Sequence, residues 1–261
     1  MFTLEYYTAS IATGESTMAQ LTAQYNGVLH KLNNGFQTPS ALPYVHSVFG
    51  LGAHLCRLRL QSPRFLPFPY PDLAPQNRGS AFESPVRSFD FSYNPFPLNG
   101  TDEIDIYASQ NSGSSETEYA ALQFTDNVRI PVPTGQTFTV HSTASTTLTA
   151  GSFTLVQPTF DYALPAGMYS LVGCRAFSAT AVYFQMQPVM QPLWRPGGAG
   201  VQAYDQLDPI GQRLFSYGGV NVWNWGVWLS FRQNTPPGVN HFATSADTAE
   251  EYWYDLVYTG P

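Results

Sequence analysis

Charged residues are scarce in this chain of 261 residues. Asp, Glu, Lys and Arg make up 11% of it, and Lys31 is its one lysine, whereas soluble domains average about 25% charged residues. The formal net charge is −7, so no basic stripe is available to neutralise phosphate groups. The composition therefore argues against direct, sequence-specific binding of nucleic acid.

Cysteines and long apolar runs are also scarce. Cys56 and Cys174 each lie in an apolar stretch, which favours two buried free thiols over a disulfide. Apolar runs such as residues 220–231 are interrupted and shorter than the roughly 20 residues that span a bilayer. The first ten residues lack the basic and apolar regions of a secretory signal. We therefore expect no membrane-spanning helix and no export by that route.

Motifs for metal, nucleotide or covalent chemistry are missing. The five histidines are dispersed without HxH or HExxH spacing, and the chain has no GxSxG motif, no P-loop and no GxGxxG after a predicted strand. We therefore predict no metal, no cofactor and no enzymatic activity. A hydrolase built on a β-sandwich stays open as an alternative, because distant residues can assemble a catalytic triad.

The residues that are abundant indicate strands. The chain has 18 Phe, 16 Tyr and 5 Trp, punctuated by 21 Gly and 21 Pro. Residues 54–60 and 103–108 alternate apolar and polar side chains with the period of a half-buried strand. Many short strands separated by turn residues predict an all-β protein built from sandwiches or barrels.

A weak internal repeat predicts two copies of one β unit. The pattern Glu116-x-x-Tyr119-x-x-Leu122-x-Phe124-Thr125 returns 134 residues later as Glu250-x-x-Trp253-x-x-Leu256-x-Tyr258-Thr259, and Cys56-Arg57 returns as Cys174-Arg175. We predict two tandem eight-stranded jelly rolls, at residues 44–130 and 131–261. Residues 1–43 are predicted to form an N-terminal arm, with either an amphipathic helix over residues 16–32 or an extended conformation.

Several segments resemble the double jelly-roll major capsid proteins of tailless icosahedral bacterial viruses, which often contain an internal membrane. In the first half they are Leu42-Pro-Tyr-Val-His46 through Leu51-Gly-Ala-His54, and Arg59-Leu-Gln-Ser62-Pro63. In the second half they are Leu164-Pro-Ala-Gly167 through Gly173, Trp194-Arg-Pro-Gly197, Asn234-Thr-Pro-Pro237 and Ala246-Asp-Thr-Ala249. The resemblance spans roughly residues 42–261 and is one of pattern and order.

The resemblance implies a structural role in a virion. It implies a homotrimer that forms a pseudo-hexameric capsomer, contacts with neighbouring capsomers and with minor capsid or vertex proteins, and an internal viral membrane as a further candidate partner. It also implies location in the virion after synthesis in the host cytoplasm. The ten arginines against one lysine suit interfaces between subunits, where Arg is enriched and Lys depleted.

The tryptophans give the main alternative function. All five, Trp194, Trp223, Trp225, Trp228 and Trp253, lie in the second half of the chain. They are candidates for a subunit interface or for an aromatic platform that stacks sugar rings. The platform would make the protein a carbohydrate-binding adhesin or a minor virion or spike β-sandwich module.

Two acidic groups are candidates for a calcium or glycosidase site. The first contains Asp102, Glu103, Asp105, Glu116 and Glu118, and the second contains Asp247, Glu250 and Glu251. No EF-hand loop frames either group. Alternation puts Glu103 and Asp105 on the face opposite Ile104 and Ile106, so a solvated strand face is the expectation for the first group, and a turn or single helical turn for the second.

Overall fold

The computed structural model describes residues 2–25, 27, 29–52, 54–66, 69–73, 88–91, 94–128, 130–178, 180–189, 195–199, 226–248 and 250–261. These residues form β-strands and one short 3-10 helix, Pro63–Phe65. The all-β prediction is therefore confirmed. The chain divides into an N-terminal unit, Leu4–Asn127, and a C-terminal unit, Val128–Pro261, with which Met1–Thr3 is grouped.

The N-terminal unit contains two antiparallel sheets. Its strands are β1 (Phe2–Ile11), β2 (Gly14–Gln20), β3 (Thr22–Gln24), β4 (Lys31–Leu32), β5 (Gly35–Gln37), β6 (Tyr44–Leu51), β7 (Leu55–Gln61), β8 (Asp72–Leu73), β9 (Ser88–Asp90), β10 (Phe96–Pro97), β11 (Glu103–Gln110) and β12 (Glu116–Thr125). One sheet has the order β10-β6-β12-β1-β3, with β9 also paired to β6. The other has the order β4-β5-β11-β7-β8, with β2 also paired to β11.

The C-terminal unit also contains two antiparallel sheets. Its strands are β13 (Gln136–Ala144), β14 (Phe153–Val156), β15 (Thr159–Phe160), β16 (Met168–Phe177), β17 (Ala181–Gln187), β18 (Gly197–Ala199), β19 (Leu229–Arg232), β20 (Gly238–Ala243) and β21 (Glu250–Gly260). The sheets have the orders β15-β13-β21-β16-β19 and β14-β20-β17-β18.

Both units share one strand order when their short extra strands are set aside. The first sheet is β1-β12-β6-β10 in the N-terminal unit and β13-β21-β16-β19 in the C-terminal unit. The second sheet is β2-β11-β7-β8 in one and β14-β20-β17-β18 in the other. We call these eight strands of each unit its main strands. Counted in chain order among them, the last strand lies between the first and the third in both units. This order is consistent with a jelly-roll-like β-sandwich.

The longer sequence repeat falls on equivalent strands, and the shorter one does not. Glu116–Thr125 is β12 and Glu250–Gly260 is β21, the last strand of each unit. Cys56 lies in β7, the fourth main strand of its unit, whereas Cys174 lies in β16, the third of its own. The return of the Cys-Arg pair is thus not a structural equivalence.

Of the two conformations expected for residues 16–32, the amphipathic helix is wrong and the extended one is observed at Gly14–Gln20, Thr22–Gln24 and Lys31–Leu32, which are strands. Ala19 and Gln20 pair with β11, and the Leu21 N–H donates to the Ile106 carbonyl at 2.8 Å. Leu21 and Ala23 are buried while Thr22 is only half-buried, which is a period of two rather than of a helix. Pairing with strands far along the chain outweighs the weak helical spacing. Residues 2–37, expected as an arm, contribute five strands to the two sheets.

Apolar side chains from both sheets of the N-terminal unit form its core. One buried cluster joins Val48 of β6 and Leu122 of β12 to Leu58 and Ile106 of the other sheet. The Tyr7 hydroxyl crosses this core and donates to the Ile104 carbonyl at 2.8 Å. In the C-terminal unit, β20 and β21 of opposite sheets are joined through the ring of His241 and the hydroxyl of Tyr252, 2.6 Å apart.

Both cysteines are buried free thiols, as the sequence predicts. Burial, together with the smaller effect of Asp255, raises the pKa of the Cys174 thiol well above its usual value against the opposing effect of Arg175. Among the described residues, no helix combines the length and hydrophobicity that crossing a bilayer requires.

The last strands allow a matched test of the two cores. Leu122 of β12 and Leu256 of β21 are both fully buried, so we expect Leu122→Ala and Leu256→Ala each to lower the free energy of unfolding by about 2–5 kcal/mol. Leu66→Ala is the control, because Leu66 is 58% exposed and such changes usually stay within about 0.5 kcal/mol. Chemical denaturation measures all three. Equal stability of the control and either core variant would contradict this packing.

Candidate functional site

The tryptophans of the expected platform do not form an exposed row in the described part of the chain. Trp228 is fully buried, and its backbone N–H donates to the Leu171 carbonyl at 2.7 Å. Trp253 of β21 is half-buried, with its ring centroid 4.9 Å from that of His141. Trp194, Trp223 and Trp225 lie outside the described residues. Trp228 is therefore a core side chain rather than a surface on which a sugar stacks.

The Glu103 carboxylate of β11 holds the β4–β5 hairpin in place. One Glu103 oxygen accepts a hydrogen bond from the Gly35 N–H at 3.1 Å, and the other accepts one from the Asn33 amide at 3.3 Å. A Cβ at position 35 would lie only 2.6 Å from the Ile104 carbonyl oxygen and would collide with the Asp105 carboxylate. Gly35 is thus required where β4 and β5 pass close to β11. This contact gives Glu103 a structural role.

A buried carboxyl group lies at the start of β12. Glu118 is fully buried, and neither of its carboxyl oxygens has a hydrogen-bond partner among the described residues. Burial, and then the nearby charge of Glu116, raise the pKa of Glu118 to about 8. A Cβ on Gly52 would lie 2.6 Å from Glu118 Cδ, so the carboxyl occupies the space beside that glycine. The solvated strand face expected for Glu118 is wrong.

A second buried carboxyl group lies at the start of β21, the equivalent strand. Glu250 is fully buried, and neither of its carboxyl oxygens accepts a hydrogen bond from another described side chain. Burial, and then the charge of Asp247, raise the pKa of Glu250 to about 7. The turn or helical turn expected here is also wrong, because Glu250 is the first residue of β21.

Each buried carboxyl group has a neighbouring carboxylate that binds a histidine. Glu116 Oε2 lies 2.7 Å from His54 Nδ1, and this hydrogen bond is the largest cause of the lowered pKa of Glu116. Glu251 Oε2 lies 3.1 Å from His141 Nε2, while His141 Nδ1 lies 2.6 Å from Asp161 Oδ2. Burial lowers the pKa of His141, but the two carboxylates outweigh it and the pKa is raised. We name these groups the last-strand carboxylates: Glu116 and Glu118 on β12, and Glu250 and Glu251 on β21.

The sequence contains only part of the signal for this arrangement. The repeat begins at Glu116 and at Glu250, so it points to the starts of the last strands. It does not distinguish the carboxylate that binds a histidine from the one that is buried. That distinction depends on what covers each strand, which alternation along one strand does not reveal.

Of the last-strand carboxylates, the two buried ones, Glu118 and Glu250, suit proton binding. In the described residues, no group of three or more His, Cys, Asp or Glu side chains is arranged to hold a metal ion. A buried carboxyl without a donor is stable when protonated, because transfer of its charged form out of water is costly.

Two cavities in the C-terminal unit have linings that mix apolar and polar residues. The larger, of about 520 Å³, is lined by Met168, Leu229 and Phe231 among others, with Arg232 at its wall. The smaller, of about 390 Å³, is lined by Ile130, Val227 and neighbouring residues. No carboxylate or histidine is among the described residues that line either cavity.

Comparisons with known proteins give one structural similarity. No protein-family model matches the chain, and no curated protein matches it. The crystal structure of the major capsid protein P2 from bacteriophage PM2 aligns over 97% of this chain and 98% of that protein, with 10% identity and a TM-score of 0.24. A score this low does not establish a shared fold, so the jelly-roll assignment depends on strand order.

The buried carboxyls predict a stability that falls as the solution becomes alkaline. Their folded pKa values, about 8 and about 7, exceed the 4.5 of a free glutamate, so the folded state holds more protons between those limits. The free energy of unfolding should fall from pH 5 to pH 8, by up to about 1.4 kcal/mol per pH unit for each group. Glu118→Gln and Glu250→Gln should each flatten this dependence, as measured by denaturation at several pH values.

The exposed Glu15 provides the control for this test. Glu15→Gln removes the same charge from the surface and should leave the wild-type pH dependence unchanged. If the free energy of unfolding of wild type and of both buried-site variants changed with pH in the same way, that result would contradict the raised pKa values of the two buried carboxyl groups.

The contacts of His141 with two carboxylates predict a pH dependence of folding stability, which a substitution of His141 would reveal. The pKa of His141 is higher in the folded than in the unfolded state, where it is about 6.5. Its contribution to the free energy of unfolding is therefore fully present below the unfolded pKa and is lost as the pH rises through the folded pKa. His141→Gln should therefore destabilise the protein more at pH 6 than at pH 9. His30→Gln is the control, because His30 is exposed. Thermal unfolding at both pH values measures the difference, and an equal loss at both would contradict the double carboxylate contact.

Proposed function

We propose that this chain is the major capsid protein of a tailless icosahedral virus, built from two tandem jelly rolls. The observation that carries the proposal is the shared strand order of the two units. A chain with two like units gives six of them in a trimer, which suits a pseudo-hexameric capsomer. The resemblance of the sequence to the double jelly-roll capsid proteins points to the same function.

The composition supports a role in assembly. Subunit interfaces are enriched in aromatic residues and Arg and depleted in Lys and Glu. This chain has 15% aromatic residues and one lysine. A surface with few charges also costs less to desolvate when large areas are buried between subunits.

The partners follow from this role. They are two further copies of the chain in the trimer, the neighbouring capsomers, and minor capsid or vertex proteins, with an internal viral membrane as a further candidate. The protein is made in the host cytoplasm and ends in the virion. Its work is structural, with no catalytic step.

The mass of the purified protein tests the proposal. Light scattering at neutral pH should give a species of three times 28.8 kDa, or larger closed shells, because obligate interfaces bury enough surface to persist on dilution. A monomer over a wide range of concentration would contradict the trimeric capsomer. Glycan binding by the tryptophan-rich half would then become the leading hypothesis, and a glycan array would test it.

A further inference from the structure

The chain contains three Asn-Gly pairs, and the structure describes two of them in full. These two are Asn34-Gly35 and Asn99-Gly100, whereas Asn26 of the third pair lies outside the described residues. In such a pair the backbone nitrogen of the glycine can attack the side-chain amide carbon of the asparagine, because glycine has no Cβ to hinder the approach. The two described pairs lie in different surroundings.

Hydrogen bonds occupy both reacting groups of the Asn34-Gly35 pair. The Gly35 N–H donates to the Glu103 carboxylate at 3.1 Å, and the Asn34 side-chain amide donates to the side-chain oxygen of Gln20 at 3.2 Å. A backbone nitrogen must lose its proton before it attacks, and a neighbouring carboxylate opposes that loss because it disfavours a second negative charge. The contact with Glu103 therefore protects this pair.

The Asn99-Gly100 pair lies in the connection between β10 and β11, and Asn99 is exposed. Among the residues that the structure describes, neither the Asn99 side chain nor the Gly100 N–H makes a hydrogen bond. No contact of the kind that Gly35 makes with Glu103 therefore holds the reacting groups of this second pair.

The turn that carries Asn99 and Gly100 is strained at its next residue. The Asp102 N–H donates to the Asn99 carbonyl at 3.2 Å and closes a four-residue turn. Thr101, the third residue of this turn, has a φ of 80°, in the region that favours glycine and that β-branched residues rarely adopt. Because distortion of the turn relieves this strain, the movement that brings the Gly100 nitrogen to the Asn99 side chain costs less.

We propose that Asn99 is a site of spontaneous deamidation through a cyclic imide, and that Asn34 is protected from the same reaction. The Gly100 nitrogen forms a bond to Asn99 Cγ, and the side-chain nitrogen leaves as ammonia, which takes up the proton of the Gly100 N–H. Water then opens the imide. Opening at the side-chain carbonyl gives aspartate, and opening at the backbone carbonyl gives isoaspartate. This inference does not depend on the proposed function.

Both products change a turn that is joined to another part of the N-terminal unit. Each adds a negative charge close in sequence to Asp102 and Glu103, in a chain whose net charge is already −7. Isoaspartate also adds a carbon atom to the backbone. The Thr101 N–H donates to the Thr38 carbonyl at 3.0 Å, and the Thr38 N–H donates to the Asp102 carbonyl at 2.8 Å. Deamidation therefore loosens the junction between the end of β5 and the start of β11.

Peptide mapping by mass spectrometry tests the proposal on the folded full chain kept in mildly alkaline buffer. We expect aspartate and isoaspartate to accumulate at position 99. Asn34 should react about tenfold or more slowly, because a hydrogen bond to a charged group must break before the Gly35 nitrogen can attack. In denaturant the two asparagines should react at similar rates, since glycine follows both and the folded contacts are lost.

Two variants separate the chemistry from the protection. Asn99→Gln should remain unmodified at this position, because the longer side chain would have to close a larger ring, and it should leave the rate at Asn34 unchanged. Glu103→Ala removes the acceptor of the Gly35 N–H and should raise the rate at Asn34.

Equal rates at the two asparagines in the folded wild type would overturn the proposal. An Asn99 that stays intact in the folded chain while the denatured chain reacts would do the same. A folded Glu103→Ala variant whose Asn34 reacts as slowly as that of the wild type would contradict the protection of Asn34 by Glu103.

Discussion

The position of the last strand between the first and the third is the constraint on which both units depend. β21 pairs with β13 over Gln136–Ala144 and with β16 on its other side, and β12 lies likewise between β1 and β6. Each first sheet is therefore complete only when its final segment is in place. The β13–β21 pairing joins residues more than a hundred positions apart, and the β16–β21 and β6–β12 pairings join residues about 70 to 90 positions apart. Long loops must therefore close before these contacts form, which makes folding of this topology slow.

The same central position explains why carboxyl groups become buried. A strand with neighbours on both sides, and with side chains buried on both faces for most of its length, has little contact with water except at its ends. β12 is buried from Glu118 onward, and β21 is buried at Glu250. Each carboxyl thus lies where the chain passes from an exposed loop into the sheet. Its ionisation acts on the part of the strand that is easiest to open, because hydrogen bonds near a strand end open at the lowest free energy.

The alternation of apolar and polar residues predicted the strands that have one buried face and one half-buried face. Cys56, Leu58 and Leu60 of β7 are buried and alternate with half-buried Arg57 and Arg59, and Ile104 and Ile106 of β11 are buried beside half-buried acidic residues. The helical spacing over residues 16–32 misled because the partner of β2 is β11, which comes about 85 residues later, and nothing local indicates it. Alternation also failed for Glu118, because it assumes that one face of the strand is exposed to solvent. It does not reveal that the second face of β12 is buried as well. The buried carboxyls were therefore beyond sequence reasoning, although the repeat pointed to the strands that carry them.

In the capsomer of six units that we propose, the features that the two units share and those that differ have separate consequences. Strand order and a histidine-bound carboxylate beside a buried carboxyl occur in both units, so in a trimer they would be present at all six positions. The β4–β5 hairpin held by Glu103, and the Arg175–Asp255 pair with its contacts of 2.9 and 3.1 Å, each belong to one unit. Two units encoded in one chain can diverge independently, whereas six copies of a single unit would have to remain identical. A chain of this kind would thus give alternate positions of the proposed capsomer different surfaces.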